Sequence, residues 1–265
     1  MNRDLLLTRF SPTWLGRILE CHEVLASTND RARELLDEMG PRAHGAVIFA
    51  DGQTGGRGRM GRGWQSSPGL GLAVSVALWP EGPAEALACL PLAGSLAVLR
   101  ALLETAGLQP RLKWPNDVLV DGRKISGILV ESRLHGDRAA GLVVGIGVNL
   151  FQREADFPED LRTTATSLLL ASGKAISPEA FAASLLDHLS IHLAVGLDDP
   201  PSLIASAAPH WVHRQGDTLR VALAGTEIVG TYEGVGPDGS LQLDVDGRRR
   251  AVHYGDVTRV RPAGA

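Results

Sequence analysis

The sequence predicts an α+β protein: a mixed β-sheet packed by helices, followed by a small β-barrel. Three observations lead there. Helix-like and strand-like stretches follow one another without the regular βαβ alternation of a Rossmann domain. Strand patterns crowd between residues 111 and 150. From about residue 212 the texture turns to short Val/Leu/Ile/Thr/Tyr runs between tight-turn dipeptides, which divides the chain into a unit over 1–211 and a unit over 212–265.

Each element has its own signal. Residues 1–20 read as a weakly structured lead-in. Ser27-Thr28-Asn29-Asp30 precede good helix formers over 31–39, and Gly40-Pro41 stops them, so a bounded helix is expected. Gly45 to Ala50 is a strand-length apolar run, and Leu70 to Trp79 alternates as a second strand. Ala84 to Ala106, rich in Ala and Leu and ended by Gly107, reads as a long helix with Pro91 and Gly94 as points of interruption. Val118-Leu119-Val120, the turn Asp121-Gly122, and Ile125 to Val130 form a hairpin. Gly141 to Leu150 is a third apolar strand in this region, and helical patterns return at 165–171, 177–195 and 201–208. In the last unit, strands are expected at 218–224, 227–235, 240–245 and 249–254, turning at Ala224-Gly225, Pro237-Asp238-Gly239 and Asp246-Gly247.

Composition narrows the classes of function. A chain of 265 residues has room for one large domain, or a large domain with a small appendage. Forty-four per cent hydrophobic and 21% charged residues are ordinary for a soluble globular protein. A net charge of −4 argues against non-specific nucleic-acid binding as the main task. The apolar run near Met1 is too short for a secretory signal, and no apolar run approaches the roughly 20 residues of a spanning helix, so no membrane role is expected. Cys21 and Cys89 lack metal-type spacing and are too few for a disulfide framework, which fits a cytoplasmic location. His188 and His192 lack the glutamate of a zinc-protease helix and read as structural. There is no Gly-x-Ser-x-Gly elbow.

Two clusters carry chemistry. Only three of the 26 basic residues are lysine: Lys113, Lys124 and Lys174. Two of them flank one hairpin, where a compact ammonium does what a planar guanidinium cannot. The segment Lys113-Trp114-Pro115-Asn116-Asp117 combines an extended pre-proline backbone with an Asn-Asp pair able to turn the chain or bind metal and hydroxyl groups. The hairpin returns Lys124 toward the start of that strand. Upstream, Gly55 to Trp64 interleaves glycines with Arg57, Arg59 and Arg62. Glycine lets backbone approach a ligand and makes the loop mobile, so that it can order around what it binds. The segment is neither a Walker A loop nor a dinucleotide fingerprint, and a flexible basic surface loop has the same composition. Ser27-Thr28-Asn29 reads first as a helix cap, although a helix N-terminus also suits an anion or carbonyl. Gln53 and Asn149 end strands, where side chains often face a site.

The Gly56–Trp64 run, Lys113-Trp114-Pro115-Asn116-Asp117 and Lys124-Ile125-Ser126-Gly127-Ile128-Leu129 resemble biotin–protein ligase, the holocarboxylase synthetase family. Ser27-Thr28-Asn29, Gln53 and Gly145 to Asn149 fit in the same order, and the resemblance spans about residues 21–262. It implies a class II synthetase-like catalytic domain with an SH3-like C-terminal barrel. It also implies a reaction in which biotin and Mg-ATP give biotinyl-5′-AMP and pyrophosphate, after which biotin passes to a lysine of a biotin carboxyl carrier protein. By resemblance, Ser27, Thr28, Asn29 and Gln53 hold the ureido ring and valeryl chain. Arg57, Gly58 and Arg59 belong to the loop over biotin and the adenylate, and Lys124 contacts the biotin carboxylate and the reacting phosphate. Trp64, Asn116, Asp117 and Asn149 fall on the nucleotide and Mg²⁺ side, with no metal ligand assigned.

The chemistry is coherent with those residue types: a carboxylate attacking a phosphate brings anion to anion, and Arg57, Arg59, Lys124 and Mg²⁺ supply preorganised positive charge. In the second step the acceptor lysine must lose a proton, for which Asp117 is a candidate. About 20 residues precede Ser27, too few for the helix-turn-helix module of some family members, so DNA binding is not expected. A homodimer is left open. The competing readings are a lipoate or octanoate ligase or transferase, and a non-catalytic biotin sensor. The glycine–arginine loop joined to Lys-Trp-Pro-Asn-Asp favours biotin, and the complete set of charged residues favours catalysis.

Overall fold

The computed structural model describes residues 1–80, 88–135, 138–223 and 225–260. Seven strands form one mixed sheet: β1 (Leu19–Leu25), β2 (Ala46–Gln53), β3 (Gly71–Leu78), β4 (Arg111–Lys113), β5 (Asp117–Val120), β6 (Arg123–His135) and β7 (Arg138–Asn149). Their order is β1-β2-β3-β7-β6-β5-β4. Only β1 and β2 run parallel, which requires a crossover, and the helix α2 (Thr28–Met39) supplies it. Every other neighbouring pair in this sheet is antiparallel.

Period-two alternation sorts the sheet's residues between two layers. On β2, Val47 and Phe49 enter the main core, whereas Ile48 packs with Ala32, Leu35 and Leu36 of α2. On β7, Val144, Ile146 and Val148 join the main core, leaving Gly145 and Gly147 on the opposite face. The main core is closed by α3 (Leu90–Ala106) and α5 (Pro178–Asp198), joined by α6 (Pro200–Ala207). The short α4 (Leu168–Ser172) starts three residues later than its pattern predicts, because Ser167 Oγ caps it by accepting from Leu170 N–H at 3.1 Å. Helix α5 is long and apolar enough to cross a membrane by length and composition, which no run of the sequence led us to expect. Its Phe181, Leu185, Leu186, Leu189 and Leu193 are instead buried in the core.

Other differences have plain causes. The lead-in is not loose: α1 (Arg3–Leu7) forms there, and Leu6, Phe10 and Leu15 are buried in the main core. Strand β1 was not expected, since its polar and exposed positions hide any alternation. The described part of α3 starts at Leu90 with Pro91 in its first turn, where the missing N–H is of no consequence. Residues 84–87 of the expected helix lie outside the described residues. Gly94 does not break α3: a Cβ there would stand 3.1 Å from Ile128, so the glycine serves close helix–sheet packing.

A second, antiparallel sheet forms from β8 (Thr218–Leu223), β9 (Thr226–Val235), β10 (Leu241–Val245), β11 (Arg248–Val252) and β12 (Asp256–Arg259), in the order β11-β10-β9-β8-β12. It is compatible with the small barrel-like unit expected. The fifth strand, β12, is short and mostly polar, and it became a strand by pairing with β8. This sheet has its own core of Leu219, Val221, Ile228, Tyr232, Leu241, Leu243, Val252 and Val257. Trp114 is part of that core although it comes from the first sheet's sequence, and its Nε1–H donates to the Gly239 carbonyl at 2.9 Å.

At the junction, burial holds His213 near pKa about 4, and its Nε2 finds no hydrogen-bond partner. Burial holds His192 of α5 at about 4 as well. An unfolded histidine titrates near 6.5, so between those values the unfolded chain takes up protons that the folded chain refuses. The corresponding stability is full above about pH 6.5 and is lost as pH falls toward 4. The Tm is therefore expected to fall between pH 7 and pH 5, and His213→Phe should flatten that decline in thermal unfolding scans. An unchanged pH slope in the variant would remove His213 from the cause.

Candidate active site

The face of the large sheet not covered by the main core forms a cleft of about 570 Å³, walled on one side by the second sheet. Its floor is bare backbone. A Cβ at Gly145 would lie 2.1 Å from Asn29 Oδ1, one at Gly147 2.3 Å from the Trp64 ring, and one at Gly127 3.1 Å from Lys124 Nζ. The first two contacts are impossible for any side chain, so glycine is what lets Asn29 and Trp64 lie against the sheet. Ser27, Thr28, Asn29, Gln53, Arg57, Gly58, Arg59, Trp64, Asn116, Asp117, Lys124 and Asn149 all line the cleft. Strands and loops far apart in sequence thus meet in one space.

The glycine–arginine segment is a finger closed on itself. Gly58 N–H donates to the Arg62 carbonyl at 2.7 Å and Trp64 N–H to the Gly56 carbonyl at 2.9 Å. Bridges at Gln53–Ser66 and Arg57–Gly63 continue the pairing, and Met60 turns the tip with φ +56°. These backbone bonds pair the two arms of the finger.

At one end of the cleft the polar groups of Thr28, Asn29, Gln53 and Ser75 interlock. Gln53 Oε1 accepts from Thr28 N–H at 2.8 Å and from Thr28 Oγ1 at 3.1 Å. Ser27 stands at the N-cap of α2, yet its side chain caps nothing, which corrects the expected hydroxyl cap. Gln53, from the neighbouring strand, takes a donor at the helix start instead. Ser75 Oγ lies 2.7 Å from Thr28 Oγ1 and 2.6 Å from Asn29 Oδ1. Arg57 grips Asp30 with two bonds of 2.7 and 2.9 Å, and that guanidinium holds the Asp30 carboxyl below its usual pKa.

Mid-cleft, Lys124 Nζ stands 2.6 Å from Asp117 Oδ1 and 5.7 Å from the centre of the Trp64 ring. Its backbone is clasped by the 164–166 segment: Lys124 N–H donates to the Thr164 carbonyl at 2.7 Å, and the Lys124 carbonyl accepts from Thr166 N–H at 2.8 Å. Arg59 is mostly buried, and desolvation pulls its pKa below the usual arginine range. Its guanidinium donates to Asn116 Oδ1 at 3.1 Å and to the Gly255 carbonyl of the second sheet at 3.4 Å. Arg62 adds an ion pair to Asp256 at 2.9 Å. The finger therefore rests on both sheets.

Two flagged residues are already engaged by the fold. Asn116 Nδ2 donates to the Ile128 carbonyl at 2.6 Å, and Asn149 Nδ2 to the Thr166 carbonyl at 3.0 Å. Several residues escaped the sequence reading. Ser75 is a lone hydroxyl in an apolar strand, Glu131 directly follows the apolar run Ile128–Val130, and Asp256 opens β12. Gln152, buried beside Asn149, has an Oε1 with no partner. The first two signals were visible; the others depended on the chain's return path. Among the described residues, no group of three or more His, Cys, Asp or Glu gathers as a metal site.

Comparison with known proteins agrees with this arrangement. The Biotin/lipoate A/B protein ligase family model matches residues 21–149. The chain is 42% identical over 162 residues to the bifunctional ligase/repressor BirA of Bacillus subtilis, a match covering 61% of this chain and 49% of that protein. It thus spans about half the length of that relative. It is 34% identical over 246 residues to the biotin–[acetyl-CoA-carboxylase] ligase of Mycobacterium tuberculosis, covering 90% of this chain and 89% of the relative. The structure of biotin protein ligase from Aquifex aeolicus in complex with biotin and ATP superposes with a TM-score of 0.76 at 29% identity, over 93% of this chain and all of the other. With the same motifs folded into one cleft and a relative matched along nine-tenths of both lengths, the chain belongs to the biotin–protein ligase family, within the Biotin/lipoate A/B protein ligase family.

Proposed function

We propose that the cleft joins biotin to ATP as biotinyl-5′-AMP and then passes biotin to a lysine of a biotin carboxyl carrier domain. The observation that carries this reading is the convergence of Arg57, Arg59 and Lys124 on one cleft floored by glycine. The Aquifex aeolicus neighbour's complex with biotin and ATP supports it. In the first step a biotin carboxylate oxygen attacks the α-phosphorus, and the bond to the β-phosphate oxygen breaks to release pyrophosphate. Both partners are anionic, so the rate depends on positive charge already in place. Lys124 sits to bridge the attacking oxygen and the phosphate, while Arg59, desolvated and oriented by Asn116 and Gly255, offers a charge little screened by water. In the second step the acceptor amine attacks the acyl carbon and AMP leaves.

The same reading gives Ser27, Thr28, Asn29 and Gln53 the biotin head, and Arg57 and Gly58 the finger over it. Trp64, Asn116, Asp117 and Asn149 take the nucleotide side. Mg²⁺ would enter as the counter-ion of ATP and would supply charge neutralisation at the phosphates. Asp117 and Asn116 are oxygen donors of the kind it shares with phosphates. The division at residues 211 and 212, a cytoplasmic location and the absence of DNA binding belong to the same proposal.

The test is transfer of labelled biotin to a carrier domain with and without ATP, repeated with lipoate and octanoate. Labelling that requires ATP and biotin is expected. Preference for either other acid would move the chain to the lipoate side of its family, and tight biotin binding without labelling would make it a sensor. One substitution probes the floor. Gly145→Ala puts a methyl group into Asn29 and must displace it, so biotin binding is expected to weaken by about tenfold, beside a stability cost of about 1–3 kcal/mol for the overpacking. Titration calorimetry showing unchanged affinity would detach Asn29 from biotin.

A further inference from the structure

Glu131 has no part in the reading so far, yet it touches three elements of the site. It follows Gly127 and Leu129 at period two along β6. Its Oε2 accepts from Asn29 Nδ2 at 2.6 Å, and the same oxygen lies 3.3 Å from Arg57 Nη2 and 3.3 Å from Arg33 Nη2. One carboxylate oxygen thus meets the polar end of the cleft, the finger and the outer face of α2.

We infer that Glu131 is a positioning residue that sets the orientation of the Asn29 amide and couples it to Arg57 of the finger. The argument turns on donors and acceptors. An ionised carboxylate only accepts, so the half of the Asn29 amide facing it must be the NH₂ group. The amide oxygen then turns to Ser75 Oγ at 2.6 Å. With both ends held, Asn29 offers the cleft one remaining N–H and one lone pair in set directions. The amide already lies against the sheet at Gly145, where an added Cβ would stand 2.1 Å from its Oδ1. Arg57 keeps its two bonds to Asp30 whether or not Glu131 is present, so loss of Glu131 acts chiefly on Asn29. This inference rests on the proposal that Asn29 meets biotin.

Replacing Glu131 by glutamine keeps the shape but presents an NH₂ group to which the Asn29 oxygen can turn, which favours the flipped amide over the one that faces biotin. If the Asn29 amide then has to be turned back when biotin binds, each ~1.4 kcal/mol of that turning weakens affinity tenfold. Glu131→Gln is therefore expected to raise the Kd for biotin by about tenfold in calorimetry, beside a modest fall in Tm from the weakened contacts to Asn29, Arg33 and Arg57. The maximal rate of pyrophosphate exchange at saturating biotin should stay within a few fold. A purely structural role would lower the Tm and leave the Kd alone.

In the Asn29→Ala background the second substitution should add little, because its target is gone. Arg33→Ala removes the outer partner of Glu131 and one bond to Asp30 at 2.9 Å, leaves the Asn29–Glu131 bond in place, and should leave the Kd unchanged. The inference is overturned if Glu131→Gln binds biotin within about twofold of wild type, if its effect adds fully to that of Asn29→Ala, or if Arg33→Ala is equally damaging. Wild-type protein that binds no biotin would instead sink the proposed function, which separates the two failures.

Discussion

Lys124→Ala is expected to cut biotin-dependent pyrophosphate exchange by about 10²–10³-fold, the loss typical when one preorganised donor is removed from a centre of developing charge. Two effects act together. The ammonium proposed to join the carboxylate to the phosphate disappears, and Asp117 loses the partner 2.6 Å away, leaving Arg59 as the nearby charge that offsets it. Stability should hardly change, because this ion pair is part-exposed and such pairs contribute about 0–1 kcal/mol. Lys124→Arg is expected to recover little, because a planar fork cannot place a compact charge at the position 2.6 Å from Asp117 Oδ1 that the ammonium holds. Measuring isotope exchange from pyrophosphate into ATP decides it, and a rate within threefold of wild type would remove Lys124 from the chemistry.

Trp114→Ala should have the largest effect on stability. The indole is 3% exposed and fills the core of the second sheet, so truncation is expected to cost about 3–5 kcal/mol. It also removes the donor to the Gly239 carbonyl. The consequence reaches the cleft, because Arg59 of the finger leans on Gly255 and Arg62 on Asp256 of the same sheet. Thermal unfolding should show a markedly lower Tm, and pyrophosphate exchange should fall at temperatures where the chain is still folded. Trp114→Phe, which keeps most of the bulk but not the hydrogen bond, should be intermediate. Full activity and a native Tm in Trp114→Ala would mean that the two sheets are not joined through this residue.

Much of the architecture was legible because it depends on local signals. The helix over 31–39 had good formers and a Gly-Pro stop, the Asp121-Gly122 hairpin had its turn, and the strands of the second sheet had their dipeptides. The residues that line the cleft were also legible, since glycine interleaved with arginine and lysine in a chain that otherwise prefers arginine are unusual choices. What was not legible has a common cause. Strand β1 and the lead-in carry no clean period, and they are ordered by neighbours far away in sequence: β1 by pairing with β2, the lead-in by the core it fills. Ser27 looked like a cap because capping is judged locally, whereas Gln53, 25 residues from Thr28, took that place.

By itself, then, the sequence determined most residues of the cleft and those helices, strands and turns that carry their own local signal, because propensity, periodicity and turn chemistry act over a few residues. Only the tertiary structure decided that Trp114 leaves its motif to enter another core, that Glu131 and Ser75 orient Asn29, and that the finger spans both sheets. Those outcomes depend on which strands become neighbours, and hydrogen bonds of 2.6 Å form between whatever side chains the pairing brings together, not between residues close in the chain.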